Sequence, residues 1–191
     1  MEGWRPVEDL IRWGFGHAPV VMANEAHSGL ARSVRTREVG VRMVRAAYEA
    51  VFEITADTDQ DRLLSMEFTN WREREQAGNL GRLLTAGPGE PLLVWCGNGH
   101  ATKEECGEWI PMGWHFRAMS GVDPFVIDQT VTVDFGDGPR PWVRELLASV
   151  GETLAAYGGT AGILRDQAPP PLDGRTGVDA LVVSADNELT P

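Results

Sequence analysis

The chain has 191 residues, 42% of them hydrophobic and 24% charged, and 17 Lys and Arg against 28 Asp and Glu give it a net charge of −11. This length fits one domain with a substantial buried core. The acidic balance argues against a nucleic-acid partner, because binding to a phosphate backbone requires clustered basic residues, and Lys103 is the only lysine. We therefore expect one globular domain that does not bind nucleic acid.

The sequence shows no signal for membrane insertion or secretion. Its longest apolar runs, residues 91–96 and 178–183, are far below the roughly 20 residues that cross a bilayer. Residues 1–20 lack a basic segment followed by an apolar one, so they do not resemble a secretory signal. Cys96 and Cys106 form no CxxC pair, which excludes a disulfide framework and a cysteine zinc site. We expect a cytoplasmic protein without membrane spans.

Short apolar segments alternate with helical patterns along the chain. The predicted strands cover residues 19–24, 51–55, 91–96, 125–128 and 180–184. The predicted helices cover residues 30–49, 59–86 and 142–157, and a Pro-rich loop covers 158–177. This alternation predicts an α/β fold: a single-domain layered fold over residues 1–191, with a mostly parallel sheet flanked by helices and the loop before the final strand. In such sheets the ligand site lies beyond the carboxyl ends of the strands.

Two of the four histidines follow predicted strands and so fall at that edge. His27 closes the sequence Asn24-Glu25-Ala26-His27, and His100 closes Gly97-Asn98-Gly99-His100. An imidazole can take a proton from water and return it to a leaving group, and a nearby carboxylate can orient it. Glu25 and His27 point to the same side of an extended segment, so they can face one cavity, although both can also simply cap a turn.

Other polar and aromatic side chains have weaker signals. Arg72 and Arg74 lie on the long predicted helix, where a solvated charged face is the alternative interpretation. Asp128 is the foremost of the acidic residues around strand 125–128, whereas His17 and His115 have no informative context. The spacing matches neither HExxH nor a cysteine zinc pattern, and GxSxG and the phosphate-binding glycine motifs are absent. We therefore predict neither a zinc motif nor nucleotide-dependent chemistry.

The middle of the chain resembles the superfamily of erythromycin esterase-like proteins, ChaN-type haem-uptake lipoproteins and Tiki-type metalloproteases. Residues 72–80, REREQAGNL, look like the esterase helix R-[DE]-R-x-x-A-x-N, and residues 94–100, VWCGNGH, look like the strand and turn V-W-x-x-N-G-H. The first block is Glu25-Ala26-His27, which is closer to the haem-uptake branch than to the G-E-x-x-H of the esterases. The family's glutamate at the end of its second strand corresponds to either Glu49 or Glu53.

The resemblance implies a hydrolase that acts on an ester or lactone of a small molecule, within a biosynthetic pathway as one possibility. It makes His27 the general base, Glu25 its partner, His100 a second catalytic or substrate-binding imidazole, and Arg74 the group that stabilises the oxyanion. We expect the substrate-binding residues to be Arg72, Asn98, Trp109, His115 and Asp128.

Two alternatives stay open from the sequence. The first is a non-catalytic protein of the same fold that binds haem or a metal through His27 and His100; the hydrolase itself requires no cofactor. The second is a scaffold without turnover. The aromatic residues around Trp109 form either an apolar wall for the substrate or part of the core. The oligomeric state is not indicated.

Overall fold

The computed structural model describes residues 2–25, 65–132 and 140–185. The helices there are α1 (Val7–His17), α2 (Met66–Ala86), α3 (Met112–Ser120) and α4 (Pro141–Ala156). The strands are β1 (Val20–Glu25), β2 (Leu92–Gly97), β3 (Phe125–Asp128), β4 (Thr160–Leu164) and β5 (Ala180–Ser184). Two single-turn 3-10 helices, Arg165–Gln167 and Leu172–Gly174, lie between β4 and β5.

The five strands form one sheet in the order β2-β1-β3-β5-β4. β1 pairs in parallel with β2 and with β3, and β3 pairs in parallel with β5, whereas β4 is antiparallel to β5. β1 therefore lies between β2 and β3, and the carboxyl ends of these three strands share one edge of the sheet. The pairing of Glu25 with Gly97 places the end of β1 beside the turn that leads to His100.

The core has one apolar layer on each face of the sheet, because successive side chains of a strand point to opposite faces. On one face Val20, Met22 and Val94 pack with residues of α2, α3 and α4. On the other face Val21, Ala23 and Leu10 of α1 form a smaller cluster. Three of the four described helices thus cover the face on which α2 lies.

The local sequence explains how α2 begins and which face it buries. The Ser65 side chain caps the helix by accepting a hydrogen bond from the backbone N–H of Phe68 at 3.1 Å. Buried Ala77 and partly buried Leu80 and Leu84 recur at helical spacing and face the core. Glu73, one turn before Ala77, lies on the same buried face.

The predicted α/β layered fold with a mostly parallel sheet flanked by helices is confirmed. One part of the prediction is corrected: the sequence predicts a loop over residues 158–177, but β4 lies inside this segment, because its five residues pair with β5 in spite of the prolines that follow. The predicted helix 30–49 and strand 51–55 lie outside the described residues, as do residues 59–64 of the long helix. No described helix combines the length and the apolar character that a bilayer crossing requires.

Candidate functional site

The centre of the candidate site is a hydrogen-bonded pair formed by His100 and Glu73. Nδ1 of His100 lies 2.8 Å from Oε2 of Glu73. The Glu73 side chain is fully buried, whereas 27% of the His100 side chain is exposed. A buried carboxylate therefore holds an imidazole that reaches the surface.

A helix and a turn bring these groups together. α2 carries Glu73 into the core, and the turn after β2 delivers His100 from the carboxyl edge. The backbone N–H of Met112, at the start of α3, donates a second hydrogen bond to Oε2 at 2.9 Å. Nη2 of Arg72 lies 3.3 Å from the other oxygen, Oε1. The carboxylate is satisfied on both oxygens, as a buried charge must be.

The surroundings of Glu73 favour its ionised form. Burial alone would raise the pKa of this carboxyl group, but the hydrogen bond and the charge of His100, the N–H of Met112 and the charge of Arg72 together lower the pKa below its usual value. A carboxylate accepts hydrogen bonds only, so the proton in the 2.8 Å contact belongs to Nδ1 of His100. In the neutral form of this imidazole the lone pair is therefore on Nε2, and that atom can accept a proton.

Trp109 packs on the His100 turn. Its ring meets the His100 ring edge to face, with 5.4 Å between the centroids. Gly99 has a φ of +81°, and a Cβ atom there would lie 2.6 Å from the Trp109 ring. Glycine is therefore required at this position for the backbone conformation and for the close approach of the indole.

An open cleft of about 600 Å³ lies beside the pair, between α2 and β2. α2 contributes mostly polar groups to its lining and β2 mostly apolar ones. The lining residues are Arg72, Gln76, Asn79, Leu80, Val94, Trp95, Cys96, Gly97, His100 and Met112. His100 and Arg72 thus line the same space, which is large enough for a small molecule.

A second polar network joins the ends of β1, β2 and β3. Oδ1 of the buried Asp128 accepts hydrogen bonds from Nδ2 of Asn24 at 3.0 Å and from the backbone N–H of Thr130 at 2.8 Å. The Thr130 hydroxyl lies 2.7 Å from the same oxygen and 3.1 Å from Oδ1 of Asn98. Oδ2 of Asp128 accepts from Nη1 of Arg175 at 3.2 Å. Since Asn98 and His100 share one turn, the two networks are neighbours.

The structure separates Arg74 and His115 from the cleft. Arg74 is exposed on α2, and neither residue belongs to the lining. Burial first, and then the positive charge of Arg74, lower the pKa of His115, while the charge of Glu73 opposes them. Nε2 of His115 is buried without a hydrogen-bond partner in the described part of the chain. His115 on α3 thus interacts with the charges of Arg74 and Glu73 but lies outside the cleft.

The sequence-predicted site residues fall into three groups. His100, Arg72, Asn98, Trp109 and Asp128 come together at the carboxyl edge or beside the cleft, whereas Arg74 and His115 do not reach it. The backbone of Glu25 lies at that edge, paired with Gly97. His27, the predicted base, lies outside the described residues, as do Glu49 and Glu53.

The charge pattern of the sequence does not single out Glu73 as a site residue. The residue stands in the alternating charges of Arg72-Glu73-Arg74-Glu75, a pattern typical of an exposed helix face. Its spacing of four from Ala77 and seven from Leu80 would have placed it on the buried stripe, and a carboxylate on such a stripe requires a partner.

The donors near His100 do not form a recognisable metal site. No group of three or more His, Cys, Asp or Glu side chains among residues 2–25, 65–132 and 140–185 is placed to hold a metal ion. Glu73 occupies Nδ1 of His100 and leaves Nε2 as the nitrogen able to bind a ligand or a proton.

Comparison of the chain with known protein families, with curated proteins and with solved structures finds no match. The resemblance to the erythromycin esterase-like superfamily therefore stays a prediction from the residues quoted above.

Proposed function

We propose that this chain is a hydrolase that cleaves an ester or lactone bond of a small molecule, with His100 as the general base. The observation that carries the proposal is the 2.8 Å contact between His100 and the buried carboxylate of Glu73, beside an open cleft. A base oriented by a buried acid is the arrangement that acyl-transfer enzymes use to activate a nucleophile. Here the nucleophile is water.

The reaction follows from the hydrogen bonding at the imidazole. Nε2 of His100 takes a proton from a water molecule while the water oxygen attacks the carbonyl carbon. Glu73 stabilises the imidazolium that forms, because its carboxylate accepts the Nδ1 proton in a hydrogen bond. The imidazolium then returns the proton to the leaving alkoxide as the carbon–oxygen bond breaks, and the products are an acid and an alcohol.

Arg72 is the residue that stabilises the negative charge on the carbonyl oxygen. It lines the cleft together with His100, whereas Arg74, to which the resemblance assigns this role, is exposed outside the cleft. A guanidinium beside a developing oxyanion lowers the barrier, and partial burial strengthens the interaction. The Arg72 side chain is 31% exposed.

The test is hydrolysis of a panel of 4-nitrophenyl esters and simple lactones by the purified chain. We expect His100→Gln and Glu73→Gln each to reduce kcat by about 10²- to 10⁴-fold, the usual contribution of general-base catalysis. Matched controls are Glu67→Gln, an exposed acid on α2, and His17→Gln, an exposed histidine on α1. Imidazole added to His100→Gly should restore part of the lost rate.

Two outcomes would contradict the proposal: full activity in His100→Gln, or no turnover by the wild type across the panel. Titration with haem and with divalent metal ions, followed by absorption spectroscopy, tests the binding alternative on the same samples. Stoichiometric binding that is lost in His100→Gln, without ester turnover, would favour a haem or metal protein.

A further inference from the structure

The hydrogen bonds around Asp128 contain a conflict that decides how Asn98 is oriented. The Thr130 hydroxyl lies within hydrogen-bond distance of two oxygens, Oδ1 of Asp128 at 2.7 Å and Oδ1 of Asn98 at 3.1 Å. A hydroxyl has one proton to donate. It therefore cannot donate to both oxygens at once, and the remaining contact would bring two lone pairs together.

Asp128 cannot resolve the conflict by supplying a proton of its own. Oδ1 accepts hydrogen bonds from Asn24 and from the backbone N–H of Thr130, and Oδ2 accepts from the Arg175 guanidinium. Both oxygens thus act as acceptors toward N–H groups. The Thr130 proton goes to Asp128, which is the charged and the nearer acceptor.

The Asn98 contact is favourable when the amide turns by 180° and points Nδ2 at the Thr130 oxygen. The order of donation is then Asn98 Nδ2 to Thr130 Oγ1 to Asp128 Oδ1. Asn24 needs no such turn, because its Oδ1 accepts from the backbone N–H of Gln129 at 2.9 Å while its Nδ2 donates to Asp128. One buried carboxylate at the end of β3 thereby sets the orientation of an amide in the turn after β2.

The consequence concerns the exposed side of Asn98. The residue is exposed, two positions before His100. With Nδ2 turned inward, its carbonyl oxygen faces outward as a hydrogen-bond acceptor. We propose that Asp128 and Thr130 are positioning residues that fix Asn98 as an acceptor for a hydroxyl or N–H group of the substrate.

The proposal deepens the hydrolase assignment and rests on it for the identity of the ligand. It selects, among esters, those that carry a hydroxyl or N–H group able to reach Asn98 when the ester is bound beside His100. A site with a fixed acceptor discriminates against the analogue without the donor, because that acceptor then loses a hydrogen bond with the substrate.

The first test measures the amide itself and needs no turnover. Nitrogen-15 NMR resolves the side-chain NH₂ group of Asn98, which Asn98→Ala identifies by its disappearance. We expect hydrogen exchange of this NH₂ group to be slower in the wild type than for an unbonded exposed amide. Thr130→Val should abolish the protection and Thr130→Ser should keep it, because serine retains the hydroxyl. An Asn98 amide that exchanges like an unbonded one in the folded wild type overturns the proposal, even if Thr130→Val does not fold.

The second test measures preference between methyl 3-hydroxybutanoate and methyl butanoate. We expect kcat/KM of the wild type to favour the hydroxylated ester by about tenfold, the effect of one hydrogen bond. Thr130→Val should remove that preference mainly through KM, and Thr130→Ser should restore it. If both esters are hydrolysed equally well, only the proposed role of Asn98 is contradicted, and the hydrolase proposal is not. If no ester is hydrolysed, the proposed hydrolase function is contradicted. The NMR experiment then still determines the orientation of the Asn98 amide.

Discussion

Nζ of Lys103 lies 2.9 and 2.8 Å from the two carboxylate oxygens of Asp179, and this ion pair ties the loop after His100 to the start of β5. Oδ2 of Asp179 also accepts the backbone N–H of Val126 at 2.8 Å. The Lys103 side chain is only 10% exposed, although Asp179 is 31% exposed. The burial of this ion pair is therefore intermediate between that of a surface salt bridge and that of a buried one.

Replacing Lys103 by Met should destabilise the protein by about 2 kcal/mol, between the values for exposed and buried pairs. The loss arises because Asp179 keeps its charge without its partner. Asp123 also lies 3.3 Å from Lys103, but it is 60% exposed, so Asp123→Asn should change the free energy of unfolding by less than about 0.5 kcal/mol. Urea unfolding measures the free energy of unfolding of both variants. Equal losses in Lys103→Met and Asp123→Asn would contradict the conclusion that Asp179 is the main partner of Lys103.

The ionised form of Glu73 makes stability depend on pH. Its pKa in the folded state lies below the ordinary value of 4.5, so its contribution to stability is complete above that value and is lost as the pH falls through the folded pKa. We expect the difference in unfolding free energy between wild type and Glu73→Gln to shrink as the pH falls from about 5 to about 3. Starting below the ordinary histidine pKa of about 6.5 keeps imidazole titration small. A difference that stays constant over this range would show that Glu73 is not held ionised.

Two substitutions on α2 should shift the pKa of His115 in opposite directions. Burial and the charge of Arg74 lower its pKa, and the charge of Glu73 raises it. We therefore expect Arg74→Gln to raise the pKa of His115 and Glu73→Gln to lower it further, as measured by proton NMR of the imidazole. Arg82→Gln, further along α2, is the control. Shifts of the same sign in the two variants would be incompatible with this placement of charges.

The strands were the most predictable part of the fold. β3 and β5 coincide with the predicted segments 125–128 and 180–184, because residues 125–127 and 180–183 are continuous apolar runs, as expected of strands buried on both faces. The sequence does not predict β4, since its pairing with β5 depends on a partner in the folded sheet rather than on its own five residues.

The candidate site was predictable only where local sequence determines position. His100 and Asn98 follow a strongly apolar strand, so the carboxyl edge could be assigned to them in advance. Glu73 meets His100 across 27 residues, and no local pattern in a single sequence encodes a contact between a helix and a distant turn. The charges of Arg74 and Glu73 on α2 act on the pKa of His115 on α3, and this interaction also depends on residues far apart in the sequence.

A pair of glycines in two helices tests the packing that supports the site. A Cβ atom on Gly113 of α3 would lie 2.0 Å from the carbonyl oxygen of Ala101, next to His100, whereas a Cβ atom on Gly81 of α2 would meet nothing within 4 Å. The N–H of Gly113 donates to the His100 carbonyl at 2.8 Å, so α3 cannot move away without breaking that bond. The same substitution by alanine should therefore act in opposite directions at the two positions.

We expect Gly113→Ala to destabilise the protein by about 3 kcal/mol or more, through backbone overlap that no rotamer change relieves. Gly81→Ala should stabilise it by about 0.5–1 kcal/mol, because alanine restricts the unfolded chain and favours the helix. Thermal and urea unfolding of both variants measure the two effects. Because Gly113 adjoins the His100 turn, Gly113→Ala should also reduce ester turnover, while Gly81→Ala should leave it unchanged. A Gly113→Ala variant as stable as the wild type would show that α3 does not pack against Ala101 as described.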